Sequence, residues 1–170
     1  MLDRRRFSVW LRAFPPLRWS LKLAVRLFAP SHYAGAVVAV FDDQGHVLLV
    51  EHVFRTDHPW GLPGGWISRH EAPAEAVRRE LQEELQLKVE IGPLLAAERI
   101  APTPMANHPS HLGIAYYGRL IGGSGVPSAE VLGFRWADPD RIDEDLAPFQ
   151  RAAIEQGHRV FLQERAAGRA

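Results

Sequence analysis

Three carboxylates, Glu80, Glu83 and Glu84, stand at i, i+3 and i+4 within Arg79-Glu80-Leu81-Gln82-Glu83-Glu84. On a helix that spacing places them on one face within a single turn. Like charges so close repel by roughly a few tenths of a kcal/mol per pair, so something must offset them. Arg79, which reaches Glu83 at i+4, is one candidate, and a bound hard cation is the other. Mg²⁺ suits the second role, because it takes oxygen ligands, keeps several waters and is commonly shared between protein carboxylates and substrate phosphates. A solvated helix face with three Glu is also a common arrangement in its own right, so the surrounding residues must decide.

Folded elements have to hold that cluster. Pro73 opens a stretch from Ala74 to Leu85 rich in Ala, Glu, Arg and Leu, which predicts the helix that carries it. Upstream, Gly35 to Phe41 is a β-rich apolar run, Asp42-Asp43-Gln44-Gly45 has turn chemistry, and His46 to Val53 is a second run, together a hairpin signal. A Gly/Pro-dense stretch, Trp60-Gly61-Leu62-Pro63-Gly64-Gly65-Trp66, leads toward the helix. Downstream, Leu87 to Ile91, Leu94 to Ile100, Leu112 to Ile121 and Gly133 to Trp136 read as strands, with loops at 101–110 and 122–128. Pro148 to Ala167 reads as a closing helix. That order predicts an α/β sandwich around a mixed sheet.

The chain has 170 residues, 46% hydrophobic and 24% charged, with no Cys. This composition fits one globular domain able to bury a core without a staple. The absence of Cys rules out disulfide frameworks, Cys-ligated zinc, iron–sulfur clusters and thiol nucleophiles. Lys+Arg and Asp+Glu number 20 each but are unevenly spread: residues 1–30 hold seven basic residues against Asp3 alone, a net +6, which leaves −6 on the remainder. After Pro15-Pro16, Arg18, Lys22 and Arg26 recur every four positions opposite Leu17, Leu21, Ala24, Val25 and Phe28, which predicts a basic amphipathic N-terminal helix. Such a helix would pack its apolar face on the domain behind it or on a second subunit, as in a homodimer, or lie on an anionic membrane surface through residues 1–30. The same basic residues interrupt the roughly 18 apolar residues a spanning helix needs. Asp3-Arg4-Arg5-Arg6-Phe7 is followed by no clean apolar region or cleavage site, so the expected location is cytoplasmic, either free or membrane-peripheral.

From Gly65 to Leu87 the residues resemble the box of the Nudix hydrolase family, written G-x5-E-x7-R-E-U-x-E-E-x-G-U with U aliphatic. Gly65, Glu71, Arg79, Glu80, Leu81, Glu83, Glu84 and Leu87 match, eight of nine specified positions, and Gln86 stands where the box has Gly. Leu62-Pro63-Gly64-Gly65 also looks like the family's usual lead-in. The resemblance implies a domain over 33–170 after an extension over 1–32, with the Nudix-type α/β/α sandwich around a mixed β-sheet. It implies Mg²⁺-dependent hydrolysis, with Mn²⁺ as a substitute, of a pyrophosphate bond in a nucleoside diphosphate linked to a further group X. Carried over position by position, it implies Glu80, Glu83, Glu84 and the Gly65 carbonyl as metal ligands. Arg79 would orient the Glu side chains and Glu71 would tie the loop to the helix. One carboxylate must take the proton of the attacking water. Glu83 and Glu84 are candidates within the box, and Glu130, just ahead of a strand, resembles an acidic residue that some members place there.

A pyrophosphate linkage is anionic and kinetically inert, so its hydrolysis needs the phosphates neutralised and a water presented in line, which divalent ions on a carboxylate face can do. The competing reading is a nucleotide-binding or regulatory module of the same fold with little catalysis; the repulsive Glu80, Glu83 and Glu84 cluster argues against it. Gln86 must take a left-handed backbone where Gly is favoured, at about 1 kcal/mol. His108 and His111 lie in the loop expected to meet substrate, and Trp60 and Trp66 flank the Gly-rich turn, where they would stack a base or belong to the core. Pro102 stands at the offset from the box that in this family marks ADP-ribose hydrolysis. Nucleotide sugars and nucleoside triphosphates stay equally open, and substrate-binding residues stay unassigned. There is no Walker A loop or dinucleotide fingerprint, and specific nucleic-acid binding is not expected.

Overall fold

From Ala36 to Phe41 the sequence reads Ala-Val-Val-Ala-Val-Phe, an unbroken apolar run that suits a strand buried on both faces. The computed structural model, which describes residues 33–53, 55, 58–102 and 110–168 together with Pro16, Trp19, Ser20, Leu23 and Ala24, makes it the middle of the sheet. The chain divides into two units, Met1–Ser31 and His32–Ala170. In the first, the five described residues are helical; the rest of the expected amphipathic helix, and any contact of the basic head with a membrane or a second subunit, lies outside the described residues.

The second unit contains β1 (Tyr33–Phe41), β2 (Val47–His52), β3 (Trp60–Gly61), β4 (Gly64–Trp66), α1 (Pro73–Leu85), β5 (Leu87–Ile100), β6 (His111–Gly123), β7 (Val131–Ala137), a 3₁₀ turn (Pro139–Arg141) and α2 (Pro148–Ala166). The sheet order is β3-β2-β1-β6-β5, with β4 paired to β1 and β7 to β2. β1 runs parallel to β6 and every other pairing is antiparallel, so the sheet is mixed as expected. The β1–β2 hairpin closes where Asp42 Oδ1 accepts the N–H groups of Gln44 at 2.9 Å and His46 at 2.8 Å. Gly45 supplies the positive φ, +89°, that the turn needs.

Strand alternation sorts the apolar residues into two layers. Ala39, Phe41, Leu49 and Tyr117 pack against Ala153, Ile154 and Phe161 of α2. Val38, Val40, Leu48 and Val50 pack against Val77, Leu81 and Leu85 of α1 on the opposite face. Each fully buried Val or Leu contributes about 1.5–3 kcal/mol, which fixes both helices on the sheet as an α/β/α sandwich.

Several elements depart from the sequence reading. The expected strands Leu87 to Ile91 and Leu94 to Ile100 are one strand, β5, whose register shifts between Ile91 and Leu94. An edge strand absorbs Gly92-Pro93 as a bulge without losing its partner. The Gly/Pro-dense stretch forms β3 and β4, of two and three residues, too short for any period to reveal. β7 starts at Val131, two residues before the expected Gly133. Among the described residues no helix is long and apolar enough to cross a membrane.

Candidate functional site

The lead-in to α1 depends on two glycines. A Cβ on Gly64, where φ is +138°, would sit 2.2 Å from the Ala36 carbonyl oxygen, and one on Gly65 would sit 2.5 Å from Glu80 Oε1. With no side chain at Gly64 or Gly65, the start of β4 fits closely between β1 and Glu80 of α1. Helix α1 starts at Pro73, after an extended Ala72, with no side-chain cap; Pro suits this position because its missing N–H has no partner to lose. Val77, Leu81 and Leu85 hold one face of α1 on the sheet and so aim Glu80, Glu83 and Glu84 at the surroundings of β4.

Arg79 settles part of the repulsion. Its Nη1 donates to Glu80 Oε1 at 2.9 Å and to Glu83 Oε2 at 3.1 Å. Its Nε and Nη2 donate to Glu71 at 2.8 and 3.1 Å, and Nη2 also reaches the Trp66 carbonyl at 3.2 Å. Glu71 in turn accepts the Ser68 N–H at 2.9 Å. The Arg79 hydrogen bonds, followed by that of Ser68, draw the Glu71 carboxyl down to about 2, so it is ionised throughout the physiological range.

Glu84 is left out of this arrangement. Its Oε1 is 3.6 Å from His52 Nδ1, and its Oε2 is buried with no hydrogen-bond partner. Burial, then the charge of Glu80, with a smaller contribution from Glu130, pushes its carboxyl up to about 7, against the pull of Arg55 and of the Gly64 N–H. His52 is held neutral, its pKa drawn down to about 4 by burial and then by the Arg55 charge. Like Leu48 and Val50, His52 sits two residues along the same face of β2, which carries it to the α1 side of the sheet.

Gly65, Arg79, Glu80, Glu84 and Glu130 all line one cavity of about 610 Å³, a volume typical of small-molecule sites. Glu83 is not among the lining residues; it is exposed and held by Arg79. The backbone of the Glu130 loop closes on the site, with Ser128 N–H donating to the Glu84 carbonyl at 2.8 Å and Val53 N–H to the Glu130 carbonyl at 3.1 Å. Trp66 and His111 share the cavity wall and meet edge to face, their ring centroids 5.0 Å apart. Trp60 packs against the α2 layer of the core, Pro102 is exposed, and His108 lies outside the described residues. Sequence reasoning missed His52, Arg55, His58, Phe149 and Gln150, which also line the cavity. Alternation along β2 was the one signal for His52; the others reach the site from loops and from the start of α2.

A family model described as NUDIX domain matches residues 31–166. The chain belongs to the Nudix family. A relative from Azorhizobium caulinodans, named RNA pyrophosphohydrolase, is 30% identical, with 73% of this chain and 88% of that protein covered. The solved structure of a MutT NUDIX hydrolase from Burkholderia pseudomallei superposes with a TM-score of 0.63 at 27% identity, over 75% of this chain and 98% of that one. That of the MutT protein from Methanosarcina mazei Go1 gives 0.64 at 19% identity, over 79% and 98%, and bears on the fold alone. The chain is thus a Nudix enzyme that hydrolyses pyrophosphate bonds. The Gly65 to Leu87 segment is its Nudix box, and Gln86 is the departure within it: the residue sits at the end of α1 with φ 54° and ψ 33°, the left-handed conformation that Gly usually supplies.

Proposed function

We propose that this Nudix enzyme uses Mg²⁺, with Mn²⁺ as a substitute, to hydrolyse a nucleoside diphosphate linked to a further group X. ADP-ribose-like compounds, nucleotide sugars and nucleoside triphosphates are the substrate classes in view. The observation that carries the reading is Glu84 Oε2, a buried carboxylate oxygen without a partner in a cavity that also holds Glu80 and Glu130. An acceptor in that state, with like charges beside it, is short of a cation.

The donors suit a hard divalent ion, since they are carboxylate and carbonyl oxygens. Glu80, Glu83 and Glu84 with the Gly65 carbonyl would hold it. In the arrangement described above, Arg79 engages Glu80 and Glu83, and among the described residues no three His, Asp or Glu side chains converge on one point. When bound, the ion supplies neutralisation of phosphate charge and a more acidic water. The chain's own residues do the remaining work. Arg79, fixed by Glu71, limits the positions open to Glu80 and Glu83. Glu84 and Glu130 are the carboxylates within the cavity that can take the proton of the attacking water.

The test is a panel of ADP-ribose, dinucleoside polyphosphates, nucleotide sugars and nucleoside triphosphates, with Mg²⁺ or Mn²⁺, followed by released phosphate or nucleoside monophosphate. Turnover of at least one class, abolished by chelation, is expected. Binding without turnover across the whole panel would favour a regulatory module instead.

A further inference from the structure

Arg55, between β2 and β3, lines the cavity beside His52 and Glu84. Its guanidinium is poorly served for a buried cation. Nη2 makes one long hydrogen bond to the Leu62 carbonyl at 3.4 Å, and Nη1 is buried with no hydrogen-bond partner. Among the described residues no carboxylate lies within ion-pair distance of it; Glu84 acts on it only across space, against the desolvation that disfavours its charge. Guanidinium presents five donors in a planar fork suited to carboxylate or phosphate, and burying one with a donor unused is costly.

The surroundings keep that donor in place. Gly61 has a backbone conformation open to any residue, yet a Cβ there would begin 2.4 Å from Arg55 Nη1 and 2.2 Å from Gln150 Oε1. Its missing side chain makes room for the Arg55 head and the Gln150 amide. Gln150, near the start of α2, accepts the Leu62 N–H at 2.8 Å, which ties α2 to the segment after β3. Of the two arginines lining the cavity, Arg79 is occupied by Glu71, Glu80, Glu83 and the Trp66 carbonyl. Arg55 is the one with a donor to spare, and an acidic cavity that must accept an anionic substrate has a use for it.

We infer that Arg55 is a substrate-contacting residue, donating from Nη1 to a non-bridging oxygen of the substrate's diphosphate while Gly61 and Gln150 keep the guanidinium in reach. The inference rests on the hydrolase reading for its substrate class, and its test separates the two. Binding of inorganic pyrophosphate to the full chain in saturating Mg²⁺ is measured by calorimetry, alongside thermal unfolding. Arg55→Met is expected to weaken pyrophosphate at least tenfold with an unchanged unfolding midpoint. Arg55→Lys should fall between Arg55→Met and wild type, because it restores the charge without the fork, and added guanidinium should partly rescue Arg55→Met. Gly61→Ala should weaken binding in the same direction by displacing the head. Pyrophosphate bound by Arg55→Met within twofold of wild type overturns the assignment. So does an equal loss in the Met and Lys variants with a lowered unfolding midpoint and no rescue, which would make Arg55 a support for the Leu62 carbonyl. If wild type binds pyrophosphate through Arg55 but turns over nothing in the nucleotide panel, the hydrolase reading falls and the Arg55 contact stands.

Discussion

Arg79 grips Glu71 at two points, Nε to Oε1 at 2.8 Å and Nη2 to Oε2 at 3.1 Å. A fork-to-fork pair of this kind fixes the plane of the guanidinium as well as its position. From that plane Nη1 reaches Glu80 and Glu83, so a carboxylate on the loop before α1 determines where two carboxylates on α1 stand.

Lysine cannot reproduce a planar two-point contact. Arg79→Lys is expected to lower kcat by about ten- to a hundredfold through misplacement of Glu80 and Glu83, with a smaller loss for Glu71→Gln, which keeps one acceptor. Steady-state kinetics on the substrate found in the panel decide the matter. Wild-type kcat in Arg79→Lys would show that the clamp does not position the carboxylates.

Gln86 holds the left-handed end of α1 at φ 54° while its side-chain Oε1 accepts the Ser124 hydroxyl at 3.1 Å on the surface. Gly removes a conformational cost of about 1 kcal/mol and gives up an exposed hydrogen bond worth no more than about that. Gln86→Gly should therefore be neutral or stabilising by chemical denaturation, with kcat nearly unchanged. A large gain in kcat would mean that the loop after α1 takes part in turnover.

What was legible in the chain was whatever a single local period or a fixed offset determines. The tie of Glu71 to Arg79, eight residues away, was implied by the Nudix resemblance; the grouping of Glu80, Glu83 and Glu84 on one turn of one helix follows from spacing alone. The state of Glu84 does not, because His52 comes from β2, Gly64 from β4 and Glu130 from the loop before β7. Helix spacing bears on its burial alone: Glu84 follows Val77 by seven residues and Leu81 by three, on the buried stripe of α1, whereas Glu83 lies off it. The Arg55 corner was the least visible part, since it depends on a hydrogen bond between Leu62 and Gln150, 88 residues apart, and on a side chain that Gly61 lacks. The basic head, residues 1–30, was legible as an asymmetry of charge whose purpose no spacing supplies.

Glu83 and Glu84, both proposed as metal ligands, differ in burial, the first exposed and the second buried. Glu83→Gln removes one exposed partner of Arg79, which affects stability by about 0–1 kcal/mol. Glu84→Gln removes the buried carboxylate. Both are expected to lower kcat by about a hundredfold or more, the scale set by losing one group that stabilises transition-state charge, while circular dichroism shows the fold intact. Near-normal rates in both variants would remove the metal-assisted reading.

The ionisation of Glu84 also couples stability, pH and cation. Its carboxyl is pushed from 4.5 up to about 7 by burial and then by Glu80. Between those values the folded chain binds a proton that the unfolded chain has released, so stability falls as pH rises through the window. Above it, the ionised form carries a penalty of about 3 kcal/mol, from the size of the shift. His52 works in the opposite sense: burial draws its pKa from 6.5 to about 4, so the unfolded chain binds the extra proton and stability falls as pH drops. The two slopes oppose each other between pH 4.5 and 6.5, and only that of Glu84 persists toward 7. A divalent cation on the carboxylate takes the place of the proton and relieves the penalty. In chelator the unfolding midpoint should therefore decline from pH 6 to pH 8, and Mg²⁺ should raise it more at pH 8 than at pH 6. Glu84→Gln should flatten both effects and unfold at a higher temperature than wild type in chelator at pH 8. A Mg²⁺ shift of equal size at both pH values, or one that Glu84→Gln retains, would place the cation away from Glu84.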